Sequence, residues 1–108
     1  MAKVLLVDDD APALELRKII LEREGHQVST AGDPVRARKL FADFHPVCIV
    51  MDLRLPEPAD GLSLIRDFRS ASSSVRIITL CGWPPDIEGT PESQMVDVVL
   101  AKPTAPPH

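Results

Sequence analysis

Short apolar runs alternate with amphipathic stretches along most of the chain. Five of these runs are predicted to be β-strands, at Lys3–Val7, Gln27–Ala31, 47–51, 75–80 and 96–101. Runs that are apolar at almost every position are typical of strands in a parallel sheet, which helices cover on both faces. The hydrophobic pattern therefore predicts an α/β protein.

Three amphipathic stretches between the strands are predicted to be helices, at 11–24, Pro34–Phe44 and 61–69. Pro12 suits the first turn of the first helix, and Asp60 can cap the third. The apolar face of the first helix is predicted to consist of Ala13, Leu16 and Ile20. Alternation of buried strands with helices predicts a doubly wound sheet joined by right-handed crossovers.

The last third of the chain interrupts this rhythm. Residues 81–95 contain two glycines and three prolines, which are incompatible with a long helix. A fourth helix is therefore predicted to be short or irregular. The sequence PTAPPH after Lys102 cannot be helical either, so no fifth helix is expected.

Composition and charge narrow the class of protein further. The chain has 108 residues, is 44% hydrophobic and 26% charged, and so is typical of one soluble domain. It has no apolar stretch of membrane-spanning length, and its N-terminal apolar run is too short for a signal peptide, which predicts a cytoplasmic protein without membrane contact. The net charge of −4, without a basic cluster, argues against direct nucleic-acid binding. Cys48 and Cys81 show no metal-ligand spacing and are predicted to be reduced thiols.

Chargeable side chains are concentrated where the predicted strands end. Asp8, Asp9 and Asp10 follow the first strand, Asp52 follows the third, and Lys102 ends the fifth. The carboxyl ends of parallel strands open into one crevice, where ligands bind. Clustered carboxylates repel one another unless a cation is present, and Mg²⁺ suits such oxygen ligands. A lysine nearby would neutralise a phosphoryl group, so the pattern indicates phosphoryl transfer to an aspartate.

Four sequence segments carry a resemblance to a known family. VLLVDDD, VCIVMDLRLPEPADG, RIITLCGW and VLAKP, taken in order, resemble the receiver domain of two-component response regulators. The resemblance covers residues 3–103 and implies a flavodoxin-like, five-stranded sheet in the order 2-1-3-4-5. It also implies a receiver domain over residues 1–103, followed at 104–108 by a proline-rich tail or the start of a linker.

The resemblance assigns roles residue by residue. Asp52 resembles the phosphoacceptor, Asp9 a direct Mg²⁺ ligand, and Asp8 an acidic residue that acts through metal-bound water. Arg54 occupies the position that lends its backbone carbonyl to the metal, and Lys102 resembles the lysine that pairs with the phosphoryl group. The implied cofactor is Mg²⁺, with Mn²⁺ as an alternative. The implied phosphodonor is a histidine kinase or a histidine phosphotransfer protein, and the domain is a phosphoacceptor that promotes only its own phosphorylation and dephosphorylation, not an enzyme.

The sequence departs from the family pattern in the residues that transmit phosphorylation. Cys81 occupies the position of the usual Ser or Thr, and a thiol is a weak hydrogen-bond donor. Val99 stands where the family often has Tyr or Phe, and the loop over residues 56–61 is one residue longer than usual. An alternative function is therefore a receiver-like docking module that does not switch on phosphorylation.

The missing fifth helix has its own consequence. Without it, one apolar face of the last three strands would meet water, and such patches usually mark interfaces. We therefore expect a homodimer, or burial against a second domain or protein, through that face.

The same residues admit other interpretations. Asp8 and Asp10 superficially match the D-x-D nucleophile of haloacid dehalogenases, but Pro12 replaces the expected Thr and that family needs a larger body. Asp10 is expected only to stabilise the start of the first helix, through the interaction of its charge with the helix dipole. Cys81 is expected to be a small, semi-buried structural cysteine, and Trp83 to pack over the loop after the fourth strand, with an exposed partner contact left open.

Overall fold

A computed structural model describes residues 1–102 and confirms the predicted fold class. The five strands are all parallel and lie in the order β2-β1-β3-β4-β5. The elements, in chain order, are β1 Lys3–Val7, α1 Ala11–Arg23, β2 Gln27–Ala31, α2 Pro34–Phe44, β3 Cys48–Asp52, α3 Pro58–Ala71, β4 Arg76–Cys81 and β5 Val98–Ala101. Residues 103–108, which include Pro103 and the predicted tail at 104–108, lie outside the described residues.

The two faces of the sheet are buried to different extents. The larger core holds Leu5, Ile49 and Ile77, which are neighbours across β1, β3 and β4, together with residues of α2 and α3. On the opposite face, the smaller core contains Val4, Leu6 and Leu14. Side chains alternate between faces along each strand, so β1 and β3 supply residues to both cores.

Several element boundaries differ from the sequence prediction: α1 ends one residue earlier and β4 lies one residue later than predicted, and β3, α3 and β5 differ as follows. β3 covers Cys48–Asp52, so Asp52 is the last residue of the strand and does not follow it. α3 begins at Pro58, with Glu57 as its N-cap, and Asp60 lies in the first turn, where its carboxylate accepts the Glu57 amide at 2.9 Å. β5 begins at Val98, because the Asp97 carboxylate accepts the Ile77 amide at 2.8 Å before the ladder starts.

The buried side of α1 was also predicted wrongly. Leu16 and Ile20 are 60% and 51% exposed, whereas Leu14 is 8% exposed and belongs to the smaller core. Leu21 packs beside it. The apolar residues of α1 extend around more than one face, and contact with the sheet selects the stripe that contains Leu14.

Two short 3₁₀ turns, Pro84–Asp86 and Pro91–Gln94, replace the fourth helix, which confirms the prediction of an irregular segment. Ile87 is buried between them. Glu92, which is 5% exposed, accepts a hydrogen bond from Arg66 of α3 at 3.3 Å. The segment is thus anchored by packing and by an ion pair, although prolines exclude a regular helix.

One side of the sheet is left partly uncovered. We call it the open face: it comprises Val50, Leu80, Val98 and Leu100, beside α1. Val98 and Leu100 are 42% and 47% exposed, and up to Lys102 no α-helix follows β5. A groove of about 270 Å³ runs between this face and α1. None of the helices within residues 1–102 is long and apolar enough to cross a membrane.

Candidate functional site

The ends of β1 and β3 bring three carboxylates together. One oxygen from each of Asp8, Asp9 and Asp52 lies within 4.8 Å of the others. Asp8 is fully buried, Asp52 is 7% exposed, and Asp9 is exposed. β1 and β3 are adjacent parallel strands, with Val7 paired to Met51, so the residues that follow these partners meet at one edge. The structure therefore places these three predicted residues in one cluster.

Lys102 reaches this cluster from the end of β5. Its Nζ donates to Oδ2 of Asp52 at 2.6 Å and to Oδ2 of Asp8 at 3.3 Å. The Lys102 amide also donates to the Cys81 carbonyl at 2.9 Å, which fixes its backbone at the end of β4. Burial by itself would lower the pKa of Lys102, but the hydrogen bond and charge of Asp52, aided by Asp8, raise it above its ordinary value of 10.5. Lys102 is therefore a cation held against the proposed phosphoacceptor.

Asp8 is held by more protein donors than the sequence suggests. Its Oδ1 accepts the Asp10 amide at 3.0 Å, and its Oδ2 accepts Nη1 of Arg17 at 2.8 Å. Burial by itself would raise the pKa of Asp8, but the bonds from Arg17 and Asp10, with the charge of Lys102, hold it below its ordinary value of 3.8. Asp8 is thus a buried carboxylate that the protein stabilises in its charged form.

Sequence analysis missed Arg17. The available signal was a cation in an otherwise apolar stripe, because Leu14, Arg17 and Leu21 recur at the spacing of one helix face. A charged residue in such a stripe needs a buried partner, and Asp8 supplies it.

Asp10 has a structural role in the described residues. It is the N-cap of α1, and its Oδ1 accepts the Ala13 amide at 3.2 Å. This contact agrees with the expectation that Asp10 acts at the start of the helix.

The loop after Asp52 is fixed on both sides. Gly61 packs so closely on Leu53 that a Cβ at position 61 would collide with the Leu53 backbone, and the Gly61 amide donates to the Leu53 carbonyl at 3.0 Å. Arg54 forms a bidentate ion pair with Asp86, at 2.8 and 3.2 Å, which ties this loop to the first 3₁₀ turn. Arg54 is therefore held in place through its side chain, whereas the predicted role belongs to its backbone carbonyl.

Cys81 lies at the end of β4, as its match to the usual Ser or Thr position predicts. Cys81 is 3% exposed, and its Sγ donates to the Trp83 carbonyl at 3.0 Å. Burial raises the pKa of the Cys81 thiol, so its neutral form is favoured. The thiol is thus a protonated, buried group that is already hydrogen-bonded within its own loop.

Trp83 and Val99 are both exposed to solvent. Trp83 is 59% exposed, so the expectation that it packs over the loop is wrong: the two prolines that follow direct the loop into a 3₁₀ turn. Val99 pairs with Thr79 on the adjacent strand and is 44% exposed. Because β5 is the edge strand, Val99 has a neighbouring strand on only one side.

The donor set fits a hard divalent cation. Three carboxylates in close range supply oxygen ligands, and one of them is exposed to water, which suits a metal that keeps part of its hydration shell. The described residues offer no sulfur or imidazole ligand in this cluster. Mg²⁺ therefore matches the chemistry of the site better than a soft transition metal does.

Several known proteins are similar to this chain. The virulence transcriptional regulatory protein PhoP of Salmonella typhimurium is 37% identical over 91 residues, which cover 82% of this chain. The chain spans only 40% of the length of PhoP.

Solved structures show the same fold. The response regulator TrrA of Thermotoga maritima in complex with Mg²⁺-BeF is 26% identical with a TM-score of 0.84, and the match covers 95% of this chain and 88% of TrrA. TrrA has also been solved in complex with the histidine kinase ThkA. A response regulator from Burkholderia pseudomallei with a phosphorylated aspartic acid and a calcium ion is 28% identical with a TM-score of 0.84, covering 97% of this chain and 62% of that protein.

The family comparison agrees with both the fold and the acidic cluster. The response regulator receiver domain matches residues 4–108, which is nearly the whole sequence. Receiver domains are the phosphoacceptor domains of two-component systems, and the resemblance noted in the sequence is confirmed. This chain belongs to the response regulator receiver domain family.

Proposed function

We propose that Asp52 accepts a phosphoryl group from a phosphohistidine donor in a Mg²⁺-dependent reaction. The observation that carries this proposal is the joint geometry of four side chains. Asp52 lies within 4.8 Å of Asp8 and Asp9, and Lys102 donates to it at 2.6 Å. Such an arrangement provides a nucleophile, a site for a hard cation and a second positive charge, which are the needs of phosphoryl transfer.

The proposed step exchanges one bond to phosphorus for another. A carboxylate oxygen of Asp52 forms a bond to phosphorus while the bond from phosphorus to the donor histidine nitrogen breaks. The imidazole leaves with the bonding electrons and takes up a proton. Mg²⁺, when bound, neutralises charge on the phosphoryl oxygens.

The residues around Asp52 have separate tasks in this step. Lys102 already pairs with Asp52, and it would transfer its hydrogen bond to a phosphoryl oxygen after the reaction. We assign Asp9 to direct binding of the cation, since it is the exposed carboxylate of the cluster. Asp8 would act through metal-bound water, because it is buried and its oxygens are held by protein donors. The Arg54 carbonyl remains the proposed backbone ligand, and Mn²⁺ would serve as a substitute for Mg²⁺.

The test uses a small phosphodonor in place of the kinase. The chain is incubated with acetyl phosphate and Mg²⁺, and phosphoryl uptake is measured by intact mass. Wild-type chain should gain one phosphoryl group, whereas Asp52→Asn should gain none.

A matched pair of variants distinguishes a carboxylate that binds the metal from a neighbouring carboxylate that does not. Asp9→Asn should weaken Mg²⁺ binding and slow uptake, while Asp10→Asn should change neither, because Asn retains the N-cap role of Asp10. Uptake by Asp52→Asn at the wild-type rate would refute the assignment.

The proposed partner is a histidine kinase or a histidine phosphotransfer protein. TrrA, which this chain resembles in fold and at 26% identity, forms a complex with a histidine kinase.

We propose that residues 1–103 form the receiver unit, that 104–108 are a proline-rich tail or the start of a linker, and that the protein acts in the cytoplasm. We also propose no direct binding to nucleic acid or membranes by this unit.

A second candidate function is supported by the surroundings of Cys81. Its thiol is buried and hydrogen-bonded to the Trp83 carbonyl. A thiol is a weak hydrogen-bond donor, and this one already has an acceptor, so it would bind a phosphoryl group on Asp52 poorly. A receiver of this kind could dock a partner without a large response to phosphorylation.

Amide chemical shifts distinguish a switching receiver from a passive one. In the wild-type chain, shifts over residues 82–95 should change little on phosphorylation. In Cys81→Thr, whose hydroxyl is a stronger donor, they should change more. Large cooperative shifts through β5 in the wild-type chain would exclude the docking function.

A further inference from the structure

Arg17 connects α1 to the acidic cluster. Its Nη1 lies 2.8 Å from Oδ2 of Asp8, whose side chain is fully buried, while the Arg17 side chain is 27% exposed. Arg17 also lines the groove beside the open face, together with Leu6, Ile20 and Leu21. Arg17 thus lies between this groove and the acidic cluster, which its guanidinium reaches.

Arg17 and Lys102 share one oxygen of Asp8 but have different connections to the rest of the site. Lys102 donates to both Asp8 and Asp52, at 3.3 and 2.6 Å. The described contacts of Arg17 to the cluster go to Asp8 alone. A phosphoryl group on Asp52 would therefore draw Lys102 away from Asp8, while Arg17 can remain in place.

We propose that Arg17 is a positioning residue and a built-in counter-charge of the phosphorylation site, which holds Asp8 in place and lowers the affinity of the cluster for Mg²⁺. The inference rests on the proposed function, because it takes the cluster to be the Mg²⁺ site. Asp8 presents two oxygens, and protein donors occupy both: the Asp10 amide at Oδ1 and the two cations at Oδ2. A divalent cation or its bound water must therefore share Asp8 with Arg17.

Electrostatic repulsion determines whether the Arg17 charge raises or lowers the affinity of the cluster for Mg²⁺. A fixed positive charge on one carboxylate of a cluster repels a second cation that enters the cluster. Water screens this repulsion only in part, because Asp8 is fully buried and the Arg17 side chain is 27% exposed. Removal of the Arg17 charge should therefore tighten Mg²⁺ binding, provided that Asp8 keeps its orientation.

The experiment measures Mg²⁺ binding directly, by calorimetric titration of the unphosphorylated chain with MgCl₂. Arg17→Gln retains an amide donor for Asp8 but removes the charge, and its Kd for Mg²⁺ should fall about tenfold. Arg17→Lys keeps the charge, and its Kd should stay within about threefold of the wild-type value. Lys18→Gln removes the same charge at the next position of α1, and should leave the Kd within about twofold.

A second measurement separates this role from a purely structural one. Mg²⁺ bound to the folded chain stabilises it by RT ln(1 + [Mg²⁺]/Kd), so a variant that binds Mg²⁺ more tightly gains more thermal stability at the same Mg²⁺ concentration. Arg17→Gln should show a larger Mg²⁺-induced rise in Tm than the wild-type chain, although it melts earlier without the metal. Arg17→Met, which also removes the donor that holds Asp8, should show a smaller rise than Arg17→Gln. A residue that only supports the fold would lower both Tm values equally.

The outcomes for the two proposals are distinct. If the wild-type chain binds Mg²⁺ and Arg17→Gln binds it equally or more weakly, the inference about Arg17 is overturned and the proposed function stands. If the wild-type chain does not bind Mg²⁺ at all, the proposed function itself fails.

Discussion

Thr79 is an internal polar residue for which the structure shows no hydrogen-bond partner among residues 1–102. It is fully buried, and its register partners Met51 and Val99 are both apolar. A buried hydroxyl that loses water without gaining a bond destabilises the fold. Thr79→Val has nearly the same shape and should raise the free energy of unfolding by about 1 kcal/mol.

Urea denaturation measures this change, and phosphorylation provides the control. Because Cys81, not Thr79, lies at the end of β4, Thr79→Val should take up phosphate from acetyl phosphate at the wild-type rate. A destabilised Thr79→Val would mean that the hydroxyl has a partner in solution.

The residues of the acidic cluster could be predicted because their positions follow from topology alone. Parallel strands bring their carboxyl ends to one edge, so Asp8, Asp9, Asp52 and Lys102 had to be near one another. Arg17 could not be placed in the same way. Its contact depends on which side of α1 packs on the sheet, and the apolar residues of that helix leave more than one choice.

At the scale of elements, Asp97 determines where β5 begins. Its carboxylate accepts the Ile77 amide at 2.8 Å and pairs with Arg69 at 3.1 Å. Arg69 also donates to the Val75 and Met95 carbonyls, so this ion pair joins α3 to the starts of β4 and β5. Asp97→Ala should lower the free energy of unfolding by about 1–2 kcal/mol.

Acid unfolding should reveal the same carboxylate. The Ile77 amide, followed by Arg69, holds the pKa of Asp97 below its ordinary value of 3.8. The stability that Asp97 contributes is therefore present above about pH 4 and is lost as the pH falls through the lower, folded-state pKa. The stability difference between wild-type chain and Asp97→Ala should shrink below pH 4.

Asp43 provides the comparison for Asp97. It is exposed and pairs with Lys39 one helical turn away, so Asp43→Ala should cost less than about 0.5 kcal/mol. If the two variants were equally stable, Asp97 would not anchor β5.

Elements with strong local signals were predicted well, and those that depend on tertiary contacts were not. Pro34–Phe44 was predicted to the residue, because Asp33 caps it and Pro34 starts it. The start of α3 was missed by three residues, since Glu57 is a less common N-cap than the Asp60 that follows it. The proline spacing after β4 correctly excluded a helix but could not predict two separate 3₁₀ turns.

At the scale of the whole molecule, the open face remains the most distinctive surface. Val98 and Leu100 are 42% and 47% exposed on an edge strand, beside the groove that borders α1. We expect a second copy of the chain to cover this face in purified protein. A stable dimer of this kind needs about 800 Å² buried on each partner.

Light scattering at high micromolar concentration tests this expectation. The wild-type chain should have the mass of a dimer, and Leu100→Lys should return it to a monomer. Val35→Lys, on an exposed position of α2, should leave the dimer intact. A wild-type monomer that binds no apolar dye would contradict the expectation.

The most direct test of the account is the location of the phosphoryl group itself. The chain is phosphorylated with acetyl phosphate and Mg²⁺ and then reduced with borohydride, which converts an aspartyl phosphate to homoserine. Peptide mass spectrometry should find homoserine at position 52 only, and none when the metal is chelated. Homoserine at Asp8 or Asp9, or at no position, would contradict the assignment of Asp52 as the phosphoacceptor.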